Sequence, residues 1–327
     1  MLQGKELILA TKPYAKEIRW KSWWAILSTI AVLAVSVIST ILVPFLWMKF
    51  LLSIATGLTI VRLFVIYHDF LHKTILKKSI AADFIFTIFG LFILAPKSIW
   101  TRSHDHHHKH NSKLYTSSIG SFPIVTKQKF LSSPKSERNI YLFIRHPLTI
   151  SLGYIFAFAY GMCINSILAN PRKHWDSALS LIFHFSVGIL IIYLFGVINF
   201  LTVFMIPILI ACAMGSYLFY AQHNFPGVTF EDKDGWTYEK AAMHSSSYMK
   251  MNSVMHWFTA NIGYHHIHHI NAHIPFYRLP EVYNKIPELQ QAKTTSLLPK
   301  DILNCLRLKV WDPENQKMIG LKEVYSN

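Results

Sequence analysis

The chain has 327 residues, of which 52% are hydrophobic, 14% aromatic and only 15% charged. An average soluble domain has about 25% charged residues, so the composition indicates one integral membrane domain and excludes a large separate soluble one. The net charge of +15 fits a cationic face against anionic lipid headgroups, and we expect no nucleic-acid partner. The three cysteines, Cys163, Cys212 and Cys305, are an odd count, which argues against a disulfide framework.

The N-terminal third predicts a basic segment followed by two membrane spans. Residues 1–22 are polar and basic, and we expect them to lie in the cytoplasm without a cleavable signal. Residues 23–43 carry no charge and are long enough to cross a hydrocarbon core of about 30 Å. Residues 50–67 can return across it, interrupted by Arg62, which we expect to reach the interface or to pair with a carboxylate.

All the histidine clusters must lie on one side of the membrane to form one metal site, and this requirement limits how many of the later apolar segments can cross. Residues 80–95 are too short to span and contain Asp83, so we expect an interfacial or re-entrant piece. Residues 148–168 are placed in the interface. The basic loop 171–174 favours the cytoplasm, so the last two segments form a hairpin that turns near Asn199.

The predicted fold class is therefore an all-α integral membrane protein with four transmembrane helices and a cytoplasmic, histidine-rich cap that holds a di-metal site. The predicted boundaries are a membrane domain over residues 23–280, with spans at about 23–43, 50–67, 178–198 and 200–220, and a cytoplasmic tail over 281–327.

Most of the 18 histidines fall in or beside three short clusters that follow or precede apolar sequence. Residues four apart on a helix share one face, so His68 and His72 can bind one metal ion. In the second cluster, the i, i+3, i+4 set His104, His107 and His108 shares one face of its own helix. In the third cluster, His265, His268 and His269 do the same. Eight imidazoles are too many for one ion, and imidazole suits iron, zinc, copper and nickel.

Spacing alone leaves the register open, because His106 and His110 are also four apart, as are His269 and His273. We expect structural or interfacial roles for the histidines outside the clusters, which are His146, His174, His184, His244 and His256. Asp69 and Asp105 adjoin cluster histidines, and they either orient the imidazoles from behind or form salt bridges or helix-end contacts.

The three clusters resemble the histidine boxes of the membrane fatty acid desaturase family. The sequences Asn261–His269, Ile274–Leu279 and Tyr220–Phe225 are similar to those of bacterial acyl-lipid desaturases and their omega-6 relatives. The resemblance covers roughly residues 50 to 280. It favours His104, His107 and His108 over His106 and His110, and it adds His223 as a ninth ligand.

The resemblance implies a di-iron centre that uses O2 and two electrons to introduce a cis double bond into an acyl chain, and we expect that chain to be lipid-linked. The electrons come from a separate ferredoxin or b-type cytochrome, and the basic surface can attract such an acidic donor. No catalytic side chain is expected apart from the metal ligands. The expected location is a bacterial inner membrane, with the site on the cytoplasmic side.

Two alternatives stay open at this point. A di-iron hydroxylase or ketolase acting on a carotenoid, alkane or sphingolipid would use the same histidines. A non-enzymatic metal-binding or transport protein is the third possibility, although transporters place their ligands near the membrane midplane, whereas these clusters flank the apolar segments.

Overall fold

The computed structural model describes residues 2–114, 119–232 and 234–326. In these residues the α-helices, in chain order, are α1 (Gly4–Thr11), α2 (Arg19–Leu42), α3 (Leu46–Leu71), α4 (Ile80–Phe92), α5 (Lys97–His110), α6 (Lys127–Ser132), α7 (Lys135–Ile144), α8 (Pro147–Ser151), α9 (Asn165–Ala169), α10 (Trp175–Phe200), α11 (Ile206–Ala221), α12 (Tyr238–His244), α13 (Ser253–Phe258), α14 (His265–Ile270), α15 (Leu279–Lys285), α16 (Pro299–Arg307) and α17 (Leu321–Tyr325).

Shorter elements complete the fold. Leu201–Met205 is a π-helical turn that joins α10 to α11, and Tyr154–Ile164 is a longer π-helix between α8 and α9. The 3₁₀ helices are Lys12–Ala15, Phe276–Arg278 and Pro287–Gln291. Strand β1 (Tyr248–Lys250) pairs in parallel with β2 (Thr294–Ser296), and β3 (Val310–Asp312) pairs antiparallel with β4 (Lys317–Ile319).

The predicted helical class is confirmed in its main feature, but the four short strands make the chain mostly helical rather than all-α. By length and composition, three helices in the described part of the chain can cross a membrane: Arg19–Leu42, Leu46–Leu71 and the nearly continuous helix Trp175–Ala221. Helices α4 and α5 pass the same test only as a pair, which is bent by 89° as a broken span or a re-entrant loop. The number of candidate spans is thus three to four.

The long third span folds back on itself at Gly196. This glycine has φ 80° and ψ 169°, a conformation that is essentially restricted to glycine. The ring centroids of His184 and Phe204 are 4.9 Å apart, whereas 20 residues of straight helix would separate them by about 30 Å. Two antiparallel limbs therefore meet at Gly196, three residues before Asn199, where the sequence analysis placed the turn.

Helices α2 and α3 are antiparallel neighbours that bury polar groups between them. At one end, Lys49 donates to the Thr40 carbonyl and to Asn199 Oδ1. Arg62 neither reaches the interface nor pairs with a carboxylate among the described residues: it is 7% exposed, and its Nε donates to Thr29 Oγ1 at 2.9 Å. Its guanidinium lies 4.3 Å from the Trp257 ring centroid, which adds a cation–π contact.

The segment after α11 and the N-terminal residues 2–18 form a cap at the end of α3 and α11. The cap and the helices share one hydrophobic core. Ile66 of α3 and Phe86 of α4 belong to the same buried cluster as Ile267 and Val282 from the cap. The N-terminal segment is packed onto the cap, because Asn271 donates to Thr11 Oγ1. Since the core is continuous, the ends of α3 and α11 are held at fixed positions beside the cap helices.

Candidate metal centre

The first group of histidines draws on three helices. His68 and His72 lie at the C-terminal end of α3, His104 and His108 lie on α5, and His268 lies on α14. Their ligand atoms are all within 4.8 Å of one another. Four of the five side chains are buried and His72 is partly buried.

The second group has four members and a different origin. His107 comes from α5, His265 and His269 come from α14, and His223 follows the end of α11 by two residues. Their ligand atoms also lie within 4.8 Å of one another. His223 belongs to no histidine cluster in the sequence, and only the family resemblance indicated it.

Helices α5 and α14 contribute reciprocally. Helix α5 gives the pair His104 and His108 to the first group and His107 to the second, whereas α14 gives one histidine to the first group and the pair His265 and His269 to the second. Each pair spans four residues and so shares a helix face. The His108 and His269 rings stack with centroids 4.4 Å apart, which places the two groups side by side.

The geometry fits metal ligation. Within each group the rings approach one another through Nε2, at 2.8 Å for His68 and His104, 3.0 Å for His268 and His108, and 2.9 Å for His265 and His223. Two ligands at about 2.1 Å from an ion and at right angles to each other are about 3.0 Å apart. A neutral pair can share one N–H···N hydrogen bond, but the convergence of five nitrogens in one group and four in the other fits ligation of a cation.

Burial keeps these rings in the form that binds metal. Desolvation, followed by the neighbouring imidazoles, lowers the pKa of His265, His268 and His269 well below its usual value. Desolvation lowers the pKa of His223 to about 4, although its bond to the Ser245 carbonyl acts in the opposite direction. No carboxylate belongs to either group in the part of the chain that the structure describes. Neutral nitrogen is therefore the donor throughout.

Some ligands are oriented through the ring nitrogen that faces away from the site. His68 Nδ1 lies 3.2 Å from Asp69 Oδ1, and Asp69 Oδ2 accepts from the Phe276 amide at 2.7 Å. In the second group, His107 Nδ1 lies 2.6 Å from Ser121 Oγ, and His223 Nδ1 lies 2.9 Å from the Ser245 carbonyl. Such outer contacts fix the tautomer and aim Nε2 inward.

The structure brings together all nine histidines predicted as ligands and leaves out the alternative register. His106 and His110 stack on each other at 4.1 Å, and neither belongs to a group. His273 is exposed. Asp105 is also exposed, so of the two carboxylates considered only Asp69 has an orienting position.

Two orienting groups were missed in the sequence. Ser121 lies in an irregular stretch that follows the undescribed residues 115–118, and Ser245 acts through its backbone carbonyl. Neither position has a sequence signal. A single serine such as Ser121 does not predict a contact with a histidine, and at position 245 any residue would supply the carbonyl. Among the histidines outside the boxes, His184 is buried between Tyr154 Oη and the Phe92 carbonyl, as expected of a structural role.

The fold and the site define a class: a helical membrane protein that carries two adjoining all-histidine groups at one end of its long helices. The comparisons with known proteins agree with this class. A sequence model described as Fatty acid desaturase matches residues 44–297. The chain belongs to the fatty acid desaturase family, which confirms the resemblance, and it is an oxidoreductase that acts on fatty acids.

Three relatives illustrate the range of similarity. The chain is 28% identical over 272 residues to a Bacillus subtilis protein named "Fatty acid desaturase", covering 83% of this chain and 76% of that one. It is 24% identical over 271 residues to the "sn-1 oleoyl-lipid 12-desaturase" of a Synechocystis species, covering 82% and 76%. It is 25% identical over 234 residues to the "sn-1 acyl-lipid omega-3 desaturase (ferredoxin)" of a Nostoc species, covering 66% and 61%.

Proposed function

We propose that this protein is an acyl-lipid desaturase, which introduces a cis double bond into an acyl chain carried by a membrane lipid. The observation that carries the proposal is the convergence of nine buried or partly buried histidines into two adjoining groups. The names of the Synechocystis and Nostoc relatives support a lipid-linked substrate.

The two groups would each hold one iron ion, with His68, His72, His104, His108 and His268 at the first and His107, His223, His265 and His269 at the second. Bound iron would supply the O2-derived oxidant that an unactivated C–H bond requires, because side chains alone cannot break it. The chain's own part is positional. The Nε2 atoms would hold the metals, Asp69 and Ser121 orient two of the rings, and burial excludes water.

The helices support four membrane crossings, formed by α2, α3 and the two limbs that meet at Gly196. Residues 80–110 would then be re-entrant. This arrangement puts both histidine groups on the side where α2 begins and α11 ends. That side carries Lys5, Lys12 and Lys16 before α2 and Lys73, Lys77 and Lys78 after α3, whereas the turns on the other side have only Lys49 nearby. This uneven distribution of lysine favours the cytoplasm for the histidine side, and we propose a bacterial inner membrane.

The reaction needs two electrons besides O2, and we propose that a separate ferredoxin or b-type cytochrome supplies them. The Nostoc relative is named as a ferredoxin enzyme. Small electron carriers of this kind are acidic, and the strongly basic character of this chain would increase their rate of association at low salt.

The deciding experiment is gas chromatography–mass spectrometry of total fatty acids, with derivatisation of double bonds, from cells that express the protein together with a competent donor. We expect a new alkene with the wild type, none with His268→Ala, and the wild-type amount with His273→Ala, since His273 lies outside both groups. The fragment masses give the bond position. Oxygenated products without a new alkene would identify a hydroxylase or ketolase instead.

A further inference from the structure

One segment of the cap, residues 251–258, contacts the long helices at Arg62, six residues before His68 on α3 and therefore farther from the cap than the histidine groups. It contains α13, and the Trp257 carbonyl accepts a hydrogen bond from Arg62 Nη1. Arg62 is bonded in turn to Thr29 of α2. Arg62 and Thr29 both lie inside candidate spans, so this part of the cap touches helix surface that the proposed topology places in the membrane.

The helices themselves measure the depth of this contact. An α-helix rises 1.5 Å per residue, so Arg62 is about 20 Å from Lys49, at the far end of α3, and about 9 Å short of His68. A hydrocarbon core of about 30 Å that begins at Lys49 would end near His68. On α2, Thr29 lies about 12 Å beyond Lys21, the last charged residue before the apolar run. Arg62 and Thr29 therefore lie about 9 to 12 Å inside the core boundary, and Trp257, which bonds the tip of the Arg62 side chain, lies close to that boundary.

The outer face of α13 is apolar where it meets the surroundings. Val254 is 62% exposed and Trp257 is 37% exposed, and residues three apart lie on the same helix face. The exposed polar residues, Asn252 and Ser253, are confined to the start of the helix. The other side is attached to the site, because the His256 ring stacks on Tyr264 at 5.2 Å, directly before the ligand His265. Tryptophan favours the membrane interface, where its apolar body meets lipid.

We propose that residues 251–258 form a membrane-inserted anchor whose Val254 and Trp257 side chains contact the acyl chains and glycerol region of the bilayer. The inference rests on the membrane placement proposed above and adds a lipid contact surface contributed by the cap. The anchor ties the third histidine box directly to the bilayer that supplies the substrate.

Site-directed spin labelling in liposomes tests the anchor independently of activity. The three native cysteines are buried, so a nitroxide reagent reacts with an introduced cysteine, and the unmodified protein gives the background. Labels are placed at Val254→Cys, at Ile189→Cys on the exposed surface of α10, and at Lys322→Cys, an exposed cap residue. Each label is exposed to O2, which concentrates in lipid, and to a polar nickel chelate, which stays in water.

We expect the Val254 label to collide with O2 more often than with nickel, as the Ile189 label does, and the Lys322 label to show the opposite ratio. A Val254 label that matches Lys322 overturns the anchor while leaving the spans intact. A Val254 label shielded from both reagents also overturns it, since that result indicates a protein contact, such as a second copy. A water-like Ile189 label refutes the membrane placement, and the anchor with it.

Discussion

The two histidine groups share two helices, yet they are supported differently. The first is backed by a buried carboxyl group, Asp69, which binds His68 and the backbone amide of Phe276, the first residue of the 3₁₀ helix after α14. The second is backed by a hydroxyl and a carbonyl, from Ser121 and Ser245. It also depends on His223, which lies outside the three boxes.

This difference indicates that the two metals would not have equal environments. A carboxylate behind an imidazole raises its basicity as a ligand, and a neutral hydroxyl or carbonyl does so less. Among the described residues, the Nδ1 atoms of His104, His108 and His265 are buried without a hydrogen-bond partner. The outer support is therefore concentrated on a few ligands, and removing it should have unequal effects on the two groups.

The largest effect should come from removing one ligand of each group. We expect His108→Ala and His265→Ala each to lower desaturation by about 100-fold or more and to reduce the iron content by about one ion per chain. Iron analysis of the purified variants measures this. Loss of both ions from either variant would show that the groups fold as one unit, contrary to the comparison above.

Removal of the metals should destabilise the whole cap, since both groups bind ions only in the folded state. At a free iron concentration 100 times the dissociation constant, the loss is about 2.7 kcal/mol per site. Thermal unfolding of the detergent-solubilised protein, before and after chelation, measures the change. A midpoint that does not move would mean that the histidines hold their geometry without metal.

Asp69→Asn should have a smaller effect, confined at first to the first group. The amide keeps only one acceptor oxygen, so it can serve His68 Nδ1 or the Phe276 amide but not both. We expect a loss of activity of about 10- to 100-fold and an altered signal from one iron in Mössbauer spectra. A change in both iron signals would contradict an effect limited to the first group.

Ser121→Ala should be milder than Asp69→Asn, because a water molecule can replace the hydroxyl next to His107. We expect a loss of activity of several-fold, below the range of about 10- to 100-fold typical of a lost outer contact. Product formation at saturating donor compares the two variants directly. A loss for Ser121→Ala as large as that for Asp69→Asn would remove the distinction between the two supports.

The smallest effect should come from His106→Ala, which removes one ring of the alternative register. His106 stacks on His110, away from both groups, so activity and iron content should stay within about twofold of the wild type. Fatty acid analysis and iron analysis check both quantities. A loss comparable to that of His108→Ala would mean that the register has been assigned wrongly.

The sequence by itself determined the helical membrane class of the protein and predicted histidine as the type of metal ligand. Apolar runs of about 20 residues can only be satisfied as helices in a bilayer, and histidines four apart must share a helix face. Both rules are local, so they apply without knowledge of the fold. The ninth histidine, His223, has no such local signal and was indicated only by resemblance.

Tertiary structure alone decided how the ligands are divided. Nothing in the spacing tells that His107 and His108, neighbours in sequence, belong to different groups. Their side chains leave α5 about 100° apart, and the groups they meet depend on where α3, α11 and α14 end. The same holds for Arg62, whose partners are Thr29 and Trp257, 33 and 195 residues away. Long-range packing determines these contacts, and a local sequence pattern cannot predict them.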